Sequence, residues 1–217
     1  TPAVFYAHVD KRNQYYEIAQ EISTCGFDFL GGSELIDRYG KKHDKEDVVK
    51  LIEADGNTQV CFGLDALTAS TARTKVLLPP APEETSDFDA ADQNKNYDLS
   101  MSGEGMQAPD FVKACLGVLD EDKPFFIMCE QGYIDWASHS NRTMRVIESV
   151  KLLDKAVAEV DMSLRLMLSI SSIRTRLLYS SRPTTRPEDS HSEQKATELT
   201  GLSLTSIGRD ALMMTRL

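Results

Sequence analysis

One short apolar run that stops at an acid sets the frame for this chain. Phe125 to Cys129 is apolar and is followed at once by Glu130 and then Gly132. A run that short suits one buried strand rather than a helix. Asp135 and His139 come next, four residues apart. If the chain is helical from Ile134 onward, positions i and i+4 share a face, so a carboxylate and an imidazole point the same way. A strand that ends in an acid and leads into an Asp/His pair is how an α/β protein presents metal ligands at the C-terminal edge of its sheet.

The rest of the chain alternates in kind. Val4 to Ala7 reads as a strand. Arg12 to Thr24 reads as a helix with Tyr15, Ile18, Ala19 and Ile22 on one stripe, and Gly26 stops it. Phe27 to Leu30 is a short strand ending in Gly31 and Gly32. Lys45 to Ala54 is helical, with Val48, Val49, Leu51 and Ile52 apolar. Thr58 to Phe62 and Lys75 to Leu78 are strands around a short helix at Asp65 to Thr71. Residues 81 to 106 are polar and read as a surface loop. Pro109 to Leu119 is a helix with proline in its first turn. Arg142 to Val160 is a long helix whose buried stripe is Val146, Ile147, Val150, Leu153, Ala156, Val157 and Val160. Such alternation predicts the α/β class, with a mostly parallel sheet sandwiched between helices.

Composition narrows the function. The chain has 217 residues, 41% of them hydrophobic, enough for a buried core. A formal charge of −10 argues against a nucleic-acid partner, whose phosphates need a basic face. It leaves a phosphate substrate open, because bound cations reverse the local sign. No apolar run reaches the roughly 18 residues of a membrane span, and no signal-peptide pattern opens the sequence. Cys25, Cys61, Cys115 and Cys129 show no CxxC spacing and read as buried free thiols.

Beyond Val160 the character changes. Residues 161 to 217 hold one aromatic, Tyr179, and one lysine, Lys195. They carry 8 basic against 6 acidic residues, whereas the first 160 carry 16 against 28. Sustained helical or strand periodicity is missing from this tail.

Taken singly, each candidate residue has an ordinary reading. Glu130 fits a helix-capping acid. Asp135 and His139 fit a surface pair, and Arg12 fits a solvated residue at a helix start. His8 reads as a hydrogen-bonded structural histidine, His43 as a solvated loop residue, and His191 has no motif around it.

Together these residues carry more. The stretch Met128-Cys-Glu-Gln-Gly-Tyr-Ile-Asp-Trp-Ala-Ser-His-Ser-Asn141 resembles a motif of the alkaline phosphatases. Thr1-Pro-Ala-Val-Phe-Tyr-Ala-His-Val-Asp-Lys-Arg12 resembles a second motif of that family, and Gly26-Phe-Asp-Phe-Leu-Gly-Gly32 a third. The resemblance covers residues 1 to about 160. It implies hydrolysis of phosphomonoesters through a phosphoserine, with two zinc ions and one magnesium. It implies Asp135 and His139 as ligands of one zinc, Glu130 and the Thr1 hydroxyl as magnesium ligands, and Arg12 as the grip on phosphate. The residue types suit those roles. Zinc takes imidazole and carboxylate, magnesium takes hard oxygen, and guanidinium forks onto two phosphate oxygens. The family also implies a periplasmic or secreted protein that is often a homodimer. Gln131 departs from the small residue usual there, and Arg142-Thr143-Met144 replaces an acidic, small stretch.

The resemblance is also incomplete. The family's serine nucleophile, a bridging Asp and a magnesium Asp belong before Thr1, so no catalytic nucleophile is assigned here. Its second zinc site needs a strand ending in Thr-Ala-Asp-His, and no Asp-His pair follows residue 160. A shifted reading frame supplies one. If each codon takes the last nucleotide of one residue and the first two of the next, Ser181 to Asp189 encodes Thr-Ala-Asp-His-Glu-Thr-Gly-Gly with suitable synonymous codons. A single-nucleotide frameshift near Val160-Asp161 is therefore expected. Residues 161–217 then form a poorly ordered tail, and the chain alone turns over little substrate. Two alternatives stand beside this reading: another metal-dependent hydrolase of the superfamily, a phosphodiesterase or sulfatase, and a non-catalytic module that binds metal or phosphate.

Overall fold

The computed structural model describes residues 2–80, 105–118, 125–170 and 210–216. Its elements are α1 (Tyr15–Gln20), β1 (Phe29–Gly32), α2 (Val48–Glu53), β2 (Thr58–Phe62), α3 (Leu64–Ala69), β3 (Thr74–Leu78), α4 (Ala108–Val118), β4 (Phe125–Gln131), α5 (Tyr133–His139), α6 (Thr143–Ile170) and β5 (Asp210–Arg216). The loop expected over 81 to 106 lies outside the described residues up to 104, as do Leu119 and residues 171–209.

The strands form one sheet in the order β2-β3-β1-β5-β4. β3 pairs parallel with both β1 and β2. β5 pairs antiparallel with β1 and with β4, so β4 points the same way as the first three strands. Four of the five strands share a direction, as the alternation predicts. β4 lies at the edge, and among the described residues its sheet partner is β5.

Alternate side chains of each strand feed two layers of core. Leu30, Val60 and Val76 pack on one face with Ala3, Tyr6, Tyr16, Ile18, Ile22, Val48 and Ile52. Phe29, Cys61 and Leu77 pack on the other with Leu67 of α3, Phe111, Val112 and Cys115 of α4, and Ala156 of α6. β1 is buried along its whole length. Gly31 allows α4 to come this close: a Cβ there would lie 2.9 Å from the Phe111 ring.

Local chemistry explains where the helices start and stop. Asp47 caps α2 by accepting from the Val49 N–H at 3.0 Å. Gly26 and Gly56 hold φ of +74° and +69° after their helices, a region glycine enters freely.

Three expectations are corrected. Val4 to Ala7 is not a strand. Pro2–Phe5 forms a 3-10 turn, closed by Tyr6 N–H to Ala3 O at 3.0 Å, and Ala3 and Tyr6 are buried. Arg12 and Asn13 stay in a turn, and α1 begins at Tyr15 and buries Tyr16 rather than Tyr15. α6 runs on to Ile170 and buries Ser149 and Ala156, while Ile147 and Val150 are 43% and 47% exposed. Ala156 packs in the layer that holds α4, and small buried side chains allow a close helix approach.

Candidate metal and phosphate site

β4 delivers the acid. Ile127 and Cys129 pack into the layer that holds α4. Phe126 turns the other way, with its ring 5.8 Å from Phe5. By alternation Glu130 shares the face of Phe126, on the side where the N-terminal turn packs. Glu130 is half-buried and stands opposite Ala211 in the ladder. The turn Pro2–Phe5 packs against β4 and β5, so the described chain starts on the same face as Glu130. Thr1 itself lies outside the described residues.

Gln131 ends the strand on the opposite face. It is 5% exposed, and among the described residues neither atom of its amide finds a partner. Gly132 then takes helical dihedrals (φ −67°, ψ −22°) and the chain enters α5 directly. Tyr133 and Ala137 anchor the inner face of α5. Ser138 Oγ donates to Ile134 O at 2.6 Å, and Arg142 N–H donates to Ala137 O at 2.9 Å, which closes the end of the helix.

The spacing of four does what it predicts. His139 Nε2 lies 3.5 Å from Asp135 Oδ1, with side-chain exposures of 81% and 40%. Both donors are open to solvent and to an incoming ion. Trp136, half exposed, sits between them in sequence. An open depression lined by Arg142, Thr143, Met144 and Arg145 follows α5.

The donor set fits part of a metal site. Carboxylate and imidazole on one helix face suit zinc, and a half-buried carboxylate at a strand end suits a hard cation. Among the described residues no group of three His, Cys, Asp or Glu side chains converges on one point. Arg12 is exposed in the turn before α1, and among the described residues no hydrogen bond or ion pair joins it to Glu130, Asp135 or His139. The structure thus brings Asp135 and His139 together. His8 is exposed, and its backbone N–H donates to Glu21 Oε2 at 3.0 Å. His43 holds φ +54° in a loop and stacks on Tyr39. His191 is outside the described residues.

The alkaline phosphatase family profile matches residues 90–166, a segment that contains Glu130, Asp135 and His139. The chain is alkaline-phosphatase-like. The fold agrees with the profile. Alkaline phosphatase from the Antarctic bacterium TAB5 superposes with a TM-score of 0.59 at 23% identity, over 76% of this chain and 45% of that one. Two variants of the TAB5 enzyme, with a histidine replaced by Glu or Asp and magnesium bound in the M3 site, give TM-scores of 0.58 and 0.56 at 22% identity. Each is covered over 44% of its length, with 76% of this chain aligned. This alkaline-phosphatase-like chain therefore spans less than half the length of those enzymes. No curated protein sequence matches it.

Proposed function

We propose that this chain is part of a metal-dependent phosphomonoester hydrolase of the alkaline phosphatase type. The observation that carries the reading is the Asp135–His139 pair, 3.5 Å apart on a helix that directly follows the strand ending in Glu130, within the segment matched by the family profile. Asp135 and His139 hold one zinc ion. Glu130 and the Thr1 hydroxyl contribute to a magnesium site, and Arg12 grips the substrate phosphate. Bound ions of this kind supply Lewis acidity toward phosphoester oxygens.

The chain's own groups have simpler tasks. Asp135 must be ionised and His139 must present a free ring nitrogen, so protons compete with the ion at this pair. The Arg12 fork matches two phosphate oxygens. Catalytic zinc sites use three protein ligands, and this pair supplies two. No residue of this chain is assigned as the nucleophile, so negligible turnover is expected of the chain alone. Export and homodimer formation belong to the same proposal for the intact protein.

Residues 161–217 belong to it as well, as a segment out of frame. In support, the family profile ends at residue 166, close to Val160-Asp161. The coding DNA decides this, because a shifted frame must encode Thr-Ala-Asp-His across residues 181–189. Amide exchange at 210–216 as slow as that of β1 would make β5 part of the cooperative fold and count against it.

Calorimetric titration with zinc tests the site. His139→Ala and Asp135→Asn should each weaken binding at least about tenfold. Undiminished binding in both variants would remove zinc from this pair. Robust metal-dependent hydrolysis of p-nitrophenyl phosphate by the purified chain would overturn its incompleteness.

A further inference from the structure

β2 ends the sheet on the side away from β4, and among the described residues its sheet neighbour is β3. Successive backbone N–H groups of a strand point to opposite edges. Here the odd-numbered positions face β3. Thr74 N–H donates to Asn57 O at 3.1 Å, and Gly63 N–H donates to Leu78 O at 2.8 Å. Thr58 and Val60 therefore turn their N–H groups to the outer edge.

Both of those donors are taken by acids. Val60 N–H donates to Glu53 Oε1 at 2.8 Å, and Thr58 N–H donates to Asp55 Oδ1 at 3.0 Å. Asp55 also accepts the Asn57 N–H at 3.0 Å, which is ordinary turn chemistry. Glu53 is different. It is the last residue of α2, and it reaches seven positions on to the middle residue of β2. No turn requires that contact.

An uncovered strand edge is a template for pairing with another chain. With Glu53 in place, an incoming strand finds no donor at Val60, and its own carbonyl oxygen meets a carboxylate oxygen. We propose that Glu53, backed by Asp55, is an edge guard that keeps β2 of one copy of this chain from pairing with β2 of a second copy. Two such edges are self-complementary. Laid antiparallel about a two-fold axis, Val60 stands opposite Val60 and Thr58 opposite Phe62, so the outward positions of both strands meet.

Sedimentation velocity of the full chain over a concentration series tests the guard, with amide exchange read at Val60. Glu53→Ala should self-associate at least about tenfold more tightly than wild type. When dilute, its Val60 N–H should exchange at least about tenfold faster than in wild type, and when concentrated it should be protected again. Glu53→Gln keeps an acceptor oxygen and should match wild type in both readouts. A folded Glu53→Ala, checked by Trp136 fluorescence and its urea midpoint, that associates no more than wild type would overturn the proposal. Association that leaves Val60 unprotected would do the same, as would Glu53→Gln that associates like Glu53→Ala. Glu53→Asp, one methylene shorter, carries the expectations of Glu53→Ala should that variant fail to fold. In dilute wild type the Val60 N–H should be protected, and exchange there at the rate of an unstructured amide would sink the guard whatever the variants do. None of these outcomes depends on whether the chain binds zinc.

Discussion

Replacing Asp47 should cost more than an ordinary surface substitution, because two interactions end on its carboxylate. Oδ1 accepts from Arg38 Nε and Oδ2 from Arg38 Nη2, both at 2.6 Å. Oδ1 also accepts the Val49 N–H at 3.0 Å and so caps α2. The Arg38 guanidinium lies over the rings of Tyr39 and Phe62, at 5.5 and 5.4 Å. The side chains are 28% and 15% exposed, so solvent screens the pair only in part. Loss of the cap costs about 1 kcal/mol. Loss of a forked, partly buried partner, discounted for that exposure, costs about 1–2 kcal/mol more. Asp47→Ala should therefore lose about 2–3 kcal/mol, and Asp47→Asn, which can still cap, about 1 kcal/mol less than that. The pH dependence has a definite sign. Burial alone would raise the Asp47 pKa, but the Arg38 hydrogen bonds and the Val49 N–H outweigh it and hold the carboxyl below its usual value. A depressed folded-state pKa gives stability that is full above the unfolded value of about 3.9 and is lost as pH falls through the folded one. Urea unfolding of all three proteins, followed by Trp136 fluorescence, measures these gaps. A loss for Asp47→Ala under about 0.5 kcal/mol at neutral pH, or a gap to Asp47→Asn that does not shrink below about pH 4, would refute the reasoning.

Ser149→Ala should stabilise the protein. Among the described residues the fully buried Ser149 hydroxyl finds no partner, and its removal with a gain in helix propensity should raise stability by about 1–2 kcal/mol in urea unfolding. A destabilised variant would mean that a bridging water satisfies the hydroxyl. Gly31→Ala should act in the opposite sense. Its Cβ would meet the buried Phe111 ring at 2.9 Å and the Phe29 ring at 3.1 Å, and the overpacking should cost about 1–3 kcal/mol by the same assay. Wild-type stability in that variant would mean that α4 can move away from β1.

The parallel strands were legible because each carries its own record. Val60 and Cys61, or Val76 and Leu77, feed opposite layers, and short apolar runs between helices imply that two-sided burial. The first segment was not legible. Val4 to Ala7 is apolar enough for a strand, but a strand also needs a neighbour, and a bond closing back onto Ala3 takes its place. α6 misled for a different reason. Hydropathy weighs transfer from water, whereas helix packing also depends on how near two axes can come. Ser149 is polar and yet fully buried, whereas the larger Ile147 and Val150 beside it are exposed.

The candidate site divides along the same line between local and distant. Asp135 and His139 lie within one turn of one helix, so the chain's local rules alone bring them to 3.5 Å. Glu130 is local to them as well, set by strand alternation and a two-residue step into α5. Arg12 is separated from this segment by more than a hundred residues, and its position depends on every element between. It remains in an exposed turn while the Asp/His pair is already formed. At the proposed site the helical pair offers an ion two donors. A third donor would come from elements remote in sequence, and this chain aligns with 45% of the TAB5 enzyme. Zinc affinity should therefore rise when the remaining length of such an enzyme is supplied, and the rise should vanish with His139→Ala. An equal gain in that variant would place the added ligands at a different centre.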